Sequence, residues 1–293
     1  MVSGCAVVIG KMVYVGGGAS QKIEDRPLVF RYDPSSNEWC RLPPHHATLF
    51  AMGEFAGNLI TVGGVLPGVG PTGKVYRFKA SRWVEFLKPM PTARYHLSVA
   101  TTQSAIIASG GGFRFKGGTD SMSRPCAIVE VYNSETAEWH SADPLPVSCW
   151  AMSSTTLADN YYLLGGHGTE QTVLCASLTS LIQKATSPTH LPTSPLTPVW
   201  KTLPDTPLMG STAASLSGNL LAVGGFEIHS SQAVHVFLPH TNSWAKICDL
   251  PEPRYFSTVV GLSSDELLVI AGCTSGRVQM KSVLMVVSSI VES

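Results

Sequence analysis

A double glycine closing a short apolar strand recurs through the chain, and no other feature restricts its fold as tightly. KMVYVGG ends at Gly17, NLITVGG at Gly64, SAIIASGG at Gly111, NYYLLGG at Gly166 and NLLAVGG at Gly225, with a degenerate LLVIAG at Gly272. Three of the five intervals, from Gly17 to Gly64, Gly64 to Gly111 and Gly225 to Gly272, are 47 residues. Self-similarity at that period marks a repeat architecture. It says more about fold than about function, because the chemistry of a repeat scaffold lives in the loops mounted on it.

Each copy has four apolar segments in the same order. In the third, RYHLSVATT (from Arg94) turns at Gln103-Ser104 into AIIASGGG, and AIVEVYN and EWHSADPLP follow. Short β-rich runs bounded by turn residues predict four antiparallel strands, a to d. The a–b turns carry Gly10-Lys11, Gly57-Asn58 and Gly218-Asn219, residues that accept the positive φ of a tight hairpin. One Trp per copy keeps phase with the glycines: Trp39, Trp83, Trp139, Trp200 and Trp244. Each is expected to pack in the wedge between adjacent units. Trp150, the sixth, falls outside that series.

The strand ending in Gly-Gly, a Tyr further on, a Trp about six residues later and a Pro-rich link resemble kelch-repeat β-propellers. The third and sixth copies also carry the family's opening, MPTARYHLSV (Arg94) and LPEPRYFSTV (Arg254). The other copies lack that Arg. The resemblance covers nearly the whole chain and implies an all-β, six-bladed propeller with four antiparallel strands per blade. It is expected to form one domain over 1–293, with blades near 1–44, 45–91, 92–146, 147–207, 208–253 and 254–293. The sixth copy reaches VLMVVSS (from Val283) without a Trp-bearing fourth strand, so the last blade is expected to be incomplete and the ring separated or truncated.

Composition narrows the function. Net charge is zero and charged residues are 14% of the chain, so no electrostatic footprint for nucleic acid or an anionic membrane is present. The seven cysteines are odd in number and lack C-x-x-C spacing, which points away from a disulfide framework and toward a reducing, cytoplasmic setting. The apolar N-terminus lacks a basic n-region and matches the later repeats, so it reads as strand and not as a signal peptide. No cofactor is expected.

Alternation of four antiparallel strands puts the b–c loops and d–a links on one face and the a–b and c–d turns on the other. The b–c loops are the longer and more varied set, and varied loops on a rigid scaffold are where binding sits. The third, FRFKGGTDSMSRP, combines Phe113, Arg114, Phe115, Lys116 and Arg124, the aromatic and cationic types enriched at interfaces. Phe226 and His229 of the fifth loop and Arg277 of the sixth join it, with Trp150 and the openings Arg94-Tyr95-His96 and Arg254-Tyr255-Phe256. The resemblance implies that the two arginines bond backbone at the blade entrance. It also implies that capture of acidic peptides needs Arg two residues later. Those positions read His96 and Phe256, and counting back from the glycines in the other copies gives Leu49, Cys149 and Gly210, so a more apolar mouth is expected. On the opposite face, TSLIQKATSPTHLPTSPLTP (179–198) is rich in Ser, Thr and Pro and is expected to be a flexible loop.

The expected function is non-catalytic binding of a protein or peptide partner, which the resemblance extends to a substrate receptor or scaffold in a ubiquitin-ligase or cytoskeletal setting. The alternative is a sugar-active or metal-dependent propeller enzyme with a polar central pocket. The nine His are dispersed, and His45-His46, neighbours whose side chains would point oppositely in a strand, make poor joint ligands. No nucleophile elbow, phosphate loop or H-E-x-x-H appears.

Overall fold

The computed structural model describes residues 2–19, 28–113, 124–186, 199–274 and 283–287. Its first sheet is a meander of Val2–Ile9, Met12–Ala19, Val29–Asp33 and Glu38–Arg41. The second holds Ala51–Phe55, Asn58–Val62, Val75–Lys79 and Arg82–Leu87, and the third Ser98–Thr101, Ala105–Ser109, Val129–Asn133 and Glu138–Ser141. Ser153–Leu157, Asn160–Leu164, Val173–Ser177 and Lys201–Leu203 make the fourth. Thr212–Leu216, Asn219–Val223, Ala233–Leu238 and Ser243–Asp249 make the fifth. The last has three strands, Thr258–Gly261, Glu266–Ile270 and Val283–Val287.

The molecule is therefore an all-β propeller, and the expectation of six four-stranded blades is corrected. Five four-stranded sheets are present among the described residues, followed by a three-stranded one. Each sheet's first strand contacts that of the next, and Thr258–Gly261 returns to Val2–Ile9, so the inner strands close a ring. The a–b hairpins follow from their turn residues. Phe55 pairs with Asn58 across Ala56 and Gly57, both at positive φ, as a two-residue turn matched to strand twist demands.

Neighbouring sheets bury their facing side chains together. Val13, Val15 and Tyr32 of the first sheet pack with Leu268 and Ile270 of the last, and Ile60, Val62 and Val75 of the second with Ile106, Ala108 and Tyr132 of the third. Each such aliphatic side chain contributes roughly 1.5–3 kcal/mol by leaving water. The in-phase tryptophans tie the outer rims. Trp83, Trp139, Trp200 and Trp244 each donate Nε1–H to a carbonyl of the preceding link, at Pro43 (3.0 Å), Lys88 (2.8 Å), Asp143 (3.0 Å) and Pro204 (3.0 Å). Trp39 departs from the expected packing role: it stacks on Tyr32 at 4.7 Å and is 41% exposed.

Part of the Ser/Thr/Pro-rich insertion is helix, not loop. Helix α1, Leu178–Thr186, buries Leu178 and Leu181 in the cluster that holds Val131 and Trp200. Asp159, in the preceding a–b turn, caps it by accepting from the Thr179 N–H (3.0 Å) and hydroxyl (2.8 Å). Lys184 in its last turn reaches Asp143 at 2.7 Å. The rest of the insertion lies outside the described residues.

Candidate functional site

The paired glycines build the candidate face. In the second to fifth sheets the first Gly has φ near +60° (Gly63, Gly110, Gly165, Gly224) and the second lies above +100° (Gly64, Gly111, Gly166, Gly225). In the first sheet the pair with positive φ is Gly17-Gly18. This kink aims the second N–H at the next link: Gly64 donates to Arg94 O (2.8 Å), Gly111 to Cys149 O (2.9 Å) and Gly225 to Arg254 O (2.9 Å). A Cβ on Gly224 would stand 2.3 Å from Arg254 O, so the close approach excludes any side chain.

The clasp brings each link into fixed register with the residue following a glycine pair. Thr48 bridges Val65, Tyr95 bridges Gly112, Trp150 bridges His167, Met209 bridges Phe226 and Tyr255 bridges Cys273. Cys149 thus takes the place of Arg94 and Arg254, and Trp150 is the counterpart of Tyr95 and Tyr255. The position two residues beyond the Arg is Ala151 in the fourth repeat, which corrects the expectation of Cys149. Leu49, His96, Ala151, Gly210 and Phe256, the five residues at that position, share φ of +50° to +63°. His96 N–H donates to Leu49 O (3.0 Å), Ala151 N–H to His96 O (2.8 Å) and Phe256 N–H to Gly210 O (3.2 Å), linking neighbouring blades around the mouth.

Two aromatic groups result. Tyr95 lies 6.1 Å from Trp150, which meets His167 edge-on at 5.5 Å, with His96 beside Tyr95 at 5.7 Å. Across the mouth, Phe226 lies 4.9 Å from Tyr255 and 6.3 Å from Phe256. Trp150, Phe226, Tyr255 and Phe256 are half-buried, leaving ring surface in solvent. The exposed loop tips Val69 and Ile228 extend this apolar character on the second and fifth sheets. His167, Val69 and Ile228 were not singled out from sequence. The residue after each Gly-Gly would have revealed His167, since the clasp fixes its place. His229 and Arg124 are exposed on the same set of loops, and Phe113 pairs with Arg124 in a short ribbon. Arg114, Phe115, Lys116 and Arg277 lie outside the described residues.

Arg94 and Arg254 leave the partner-facing set, because both are fully buried. Arg94 donates to Gly110 O (2.7 Å) and Ile128 O (2.8 Å) and pairs with the buried Glu130 at 2.8 Å. Arg254 donates to Ala271 O (2.9 Å) and pairs with Glu252 at 3.0 Å.

Below the mouth is a cavity of about 180 Å³ ringed by inner-strand hydroxyls, including Ser98, Ser153, Thr212 and Ser257. His96 and Phe256 stand at its rim. Burial lowers the His96 imidazole to about 4, so it is neutral at physiological pH, and burial pushes the Cys5 thiol up to about 12. No carboxylate, Lys or Arg lines the cavity, and no cluster of three metal-ligating side chains exists among the described residues. His45, far from being a ligand, is buried: it accepts from Ala47 N–H at Nδ1 (3.0 Å) and meets the Thr61 hydroxyl at Nε2 (2.8 Å), while His46 is exposed.

Comparison with known proteins agrees with this geometry. No family model matches the chain. Kelch-like protein 25 of Xenopus tropicalis is 24% identical over 189 residues, 63% of this chain and 30% of the relative. Kelch-like protein 15 of Danio rerio is 21% identical over 281 residues, 86% of this chain and 46% of the relative. Beta-scruin of Limulus polyphemus is 26% identical over 152 residues, 47% and 15% of the two chains. The chain is similar to kelch-like proteins, and its own fold is a β-propeller. It spans less than half the length of each of these relatives. The solved structure of YjhT superposes with a TM-score of 0.74 over 98% of this chain and 95% of that one at 16% identity, a likeness of fold. No helix among the described residues of this propeller is long and apolar enough to cross a membrane.

Proposed function

We propose that this propeller is a non-catalytic binding module, a scaffold or adaptor, that takes a protein or peptide partner on the face formed by the b–c loops and d–a links. The observation that carries the reading is the pair of aromatic groups, Tyr95–Trp150–His167 and Phe226–Tyr255–Phe256, held around the mouth by backbone bonds with Trp150, Phe226, Tyr255 and Phe256 half-buried. Preorganised aromatic surface binds at low entropic cost and supplies the hot spots of protein interfaces. With neutral His96 and half-buried Phe256 at the rim, the fitting partner is an apolar or aromatic segment, not an acidic one. Phe113, Arg114, Phe115, Lys116, Arg124, His229 and Arg277 are the surrounding loop residues of the same proposal, which keeps one domain and the repeat boundaries given above. A sugar-active or metal-dependent site has less support, since among the described residues the hydroxyl-lined cavity carries neither an acid–base pair nor a ligand cluster.

Selection of displayed random peptides on the intact protein tests the reading. Enriched peptides are expected to be rich in apolar and aromatic residues and to lose at least tenfold in affinity for Trp150→Ala or Tyr255→Ala. Failure to enrich any peptide, or equal binding by those variants, overturns it.

A further inference from the structure

Of the seven cysteines spread over the ring, two face each other. Cys126 and Cys149 are opposed in an antiparallel bridge, with Cys149 N–H donating to Cys126 O at 3.2 Å. The other five are paired with residues of other types. Opposed residues of an antiparallel pair project to the same side, with Cα atoms about 4.5–5.5 Å apart. That separation lies within the roughly 4.4–6.8 Å that a disulfide spans. Both residues are buried, and Cys149 Sγ meets Met152 Sδ at 3.0 Å.

The other repeats show what else can occupy these two places. The bonds Gly63–Lys74, Gly110–Ile128 and Gly224–Ala233 set a common register, in which Thr72 and Ser231 correspond to Cys126. Thr72 O receives the Arg94 N–H (3.3 Å) and Ser231 O the Arg254 N–H (3.0 Å), as Cys126 O receives that of Cys149. The Thr72 and Ser231 hydroxyls accept from the backbone N–H two residues on, at Lys74 and Ala233 (3.1 Å each). Arg94 and Arg254 send their guanidinium groups to carbonyls of the blade that follows. In the third repeat both partners differ at once: Cys126 stands in place of the capping hydroxyl, and Cys149 in place of the arginine. One such change leaves a solitary thiol, whereas the two together put a thiol on each side of one bridge.

We propose that Cys126 and Cys149 are a redox modification site, oxidised by hydrogen peroxide to an intramolecular disulfide that ties the end of the third b–c loop to the link carrying Trp150. Cys126, the less buried of the two at 5% against 1% exposure, attacks the O–O bond and becomes a sulfenic acid, while its proton leaves with the other oxygen as water. Cys149 Sγ then displaces the sulfenic hydroxyl, which departs as a second water with the Cys149 proton. The two sulfurs give up two electrons between them, and the peroxide takes both. Burial raises the Cys149 thiol to about 12, so it reacts poorly with free peroxide, but its place across the bridge makes the second step effectively unimolecular. The bond does not depend on the partner-binding reading.

The test is peroxide treatment of the intact folded chain, followed by alkylation, digestion and mass spectrometry without reductant. The main linked product is expected to join Cys126 to Cys149, lighter by the two thiol hydrogens. The melting temperature is expected to rise by several degrees from the closed loop, and dithiothreitol to reverse both changes. Cys126→Ser supplies the hydroxyl that Thr72 and Ser231 carry at this place, so it is expected to fold as the parent does and to give neither the linked product nor the rise. Cys40→Ser, at the exposed thiol, is expected to keep both. The proposal is overturned if peroxide leaves Cys126 and Cys149 free or oxygenated without joining them, if they join only in urea, or if Cys126→Ser keeps the rise in melting temperature.

Discussion

Glu130, 3% exposed, shows how a single side chain can hold a blade entrance together. It accepts from Arg94 Nη2 (2.8 Å) and from the Thr92 N–H (3.1 Å) and hydroxyl (2.9 Å), so its charge is matched on every side. Removing one partner of a buried pair leaves the other charge desolvated and unmatched, at a cost of about 3–5 kcal/mol. Glu130→Ala is therefore expected to lose about that much in urea unfolding. Glu252, opposite Arg254, is 46% exposed, and water screens that pair. Glu252→Ala is expected to cost about 1 kcal/mol or less. Equal losses in the two variants would contradict this account. Arg94 was legible from the R-Y opening, whereas Glu130 was not, because it stands on the third strand, 36 residues beyond its partner.

At the scale of elements, strands and hairpins were readable because their signals are local: alternation, turn residues and the glycine kink all act within a few positions. The fourth-repeat mouth position was not, since the links between glycine and strand vary in length and counting along the chain landed on Cys149. Bonds between blades, among them Gly111–Cys149 and Ala151–His96, set the register. Helix α1 was missed for a different reason. The Ser, Thr and Pro content of 179–198 outweighed a short apolar spacing, Leu178, Leu181, Ile182 and Ala185, whose stability comes from the sheet beneath it and from Asp159. Leu181 is fully buried in that contact. Leu181→Ala is expected to destabilise the protein by about 2–5 kcal/mol through the lost contact and the cavity left behind. Faster amide exchange across Thr179–Thr186 is expected with it, while unchanged exchange there would mean the helix stands without its sheet.

For the whole molecule, the ring's closure makes its inner positions collectively sensitive to acid. His45 sits among Phe50, Tyr76 and Trp83, and His96 at the rim of the central cavity. Burial lowers both from 6.5 to about 4, and neighbouring His46 adds repulsion at His45. At His45 burial outweighs the contact of Nδ1 with the Ala47 carbonyl (3.0 Å), which by itself favours the protonated ring. The unfolded chain takes up protons below pH 6.5 while the folded ring does not until about 4, so stability is full above 6.5 and falls through that window. For His45 the loss reaches about 3 kcal/mol at 1.36 kcal/mol per pKa unit. Native carboxylates such as Asp33, held low by Ser35, lose their contribution only below the ordinary carboxylate range, so the two effects separate on the pH axis. Denaturant midpoints are expected to be level from pH 8 to 7 and to decline between 6.5 and 4, with His96→Phe removing part of the decline. A midpoint that holds steady down to pH 4.5 would show that both rings are protonated as readily in the folded ring as in the unfolded chain.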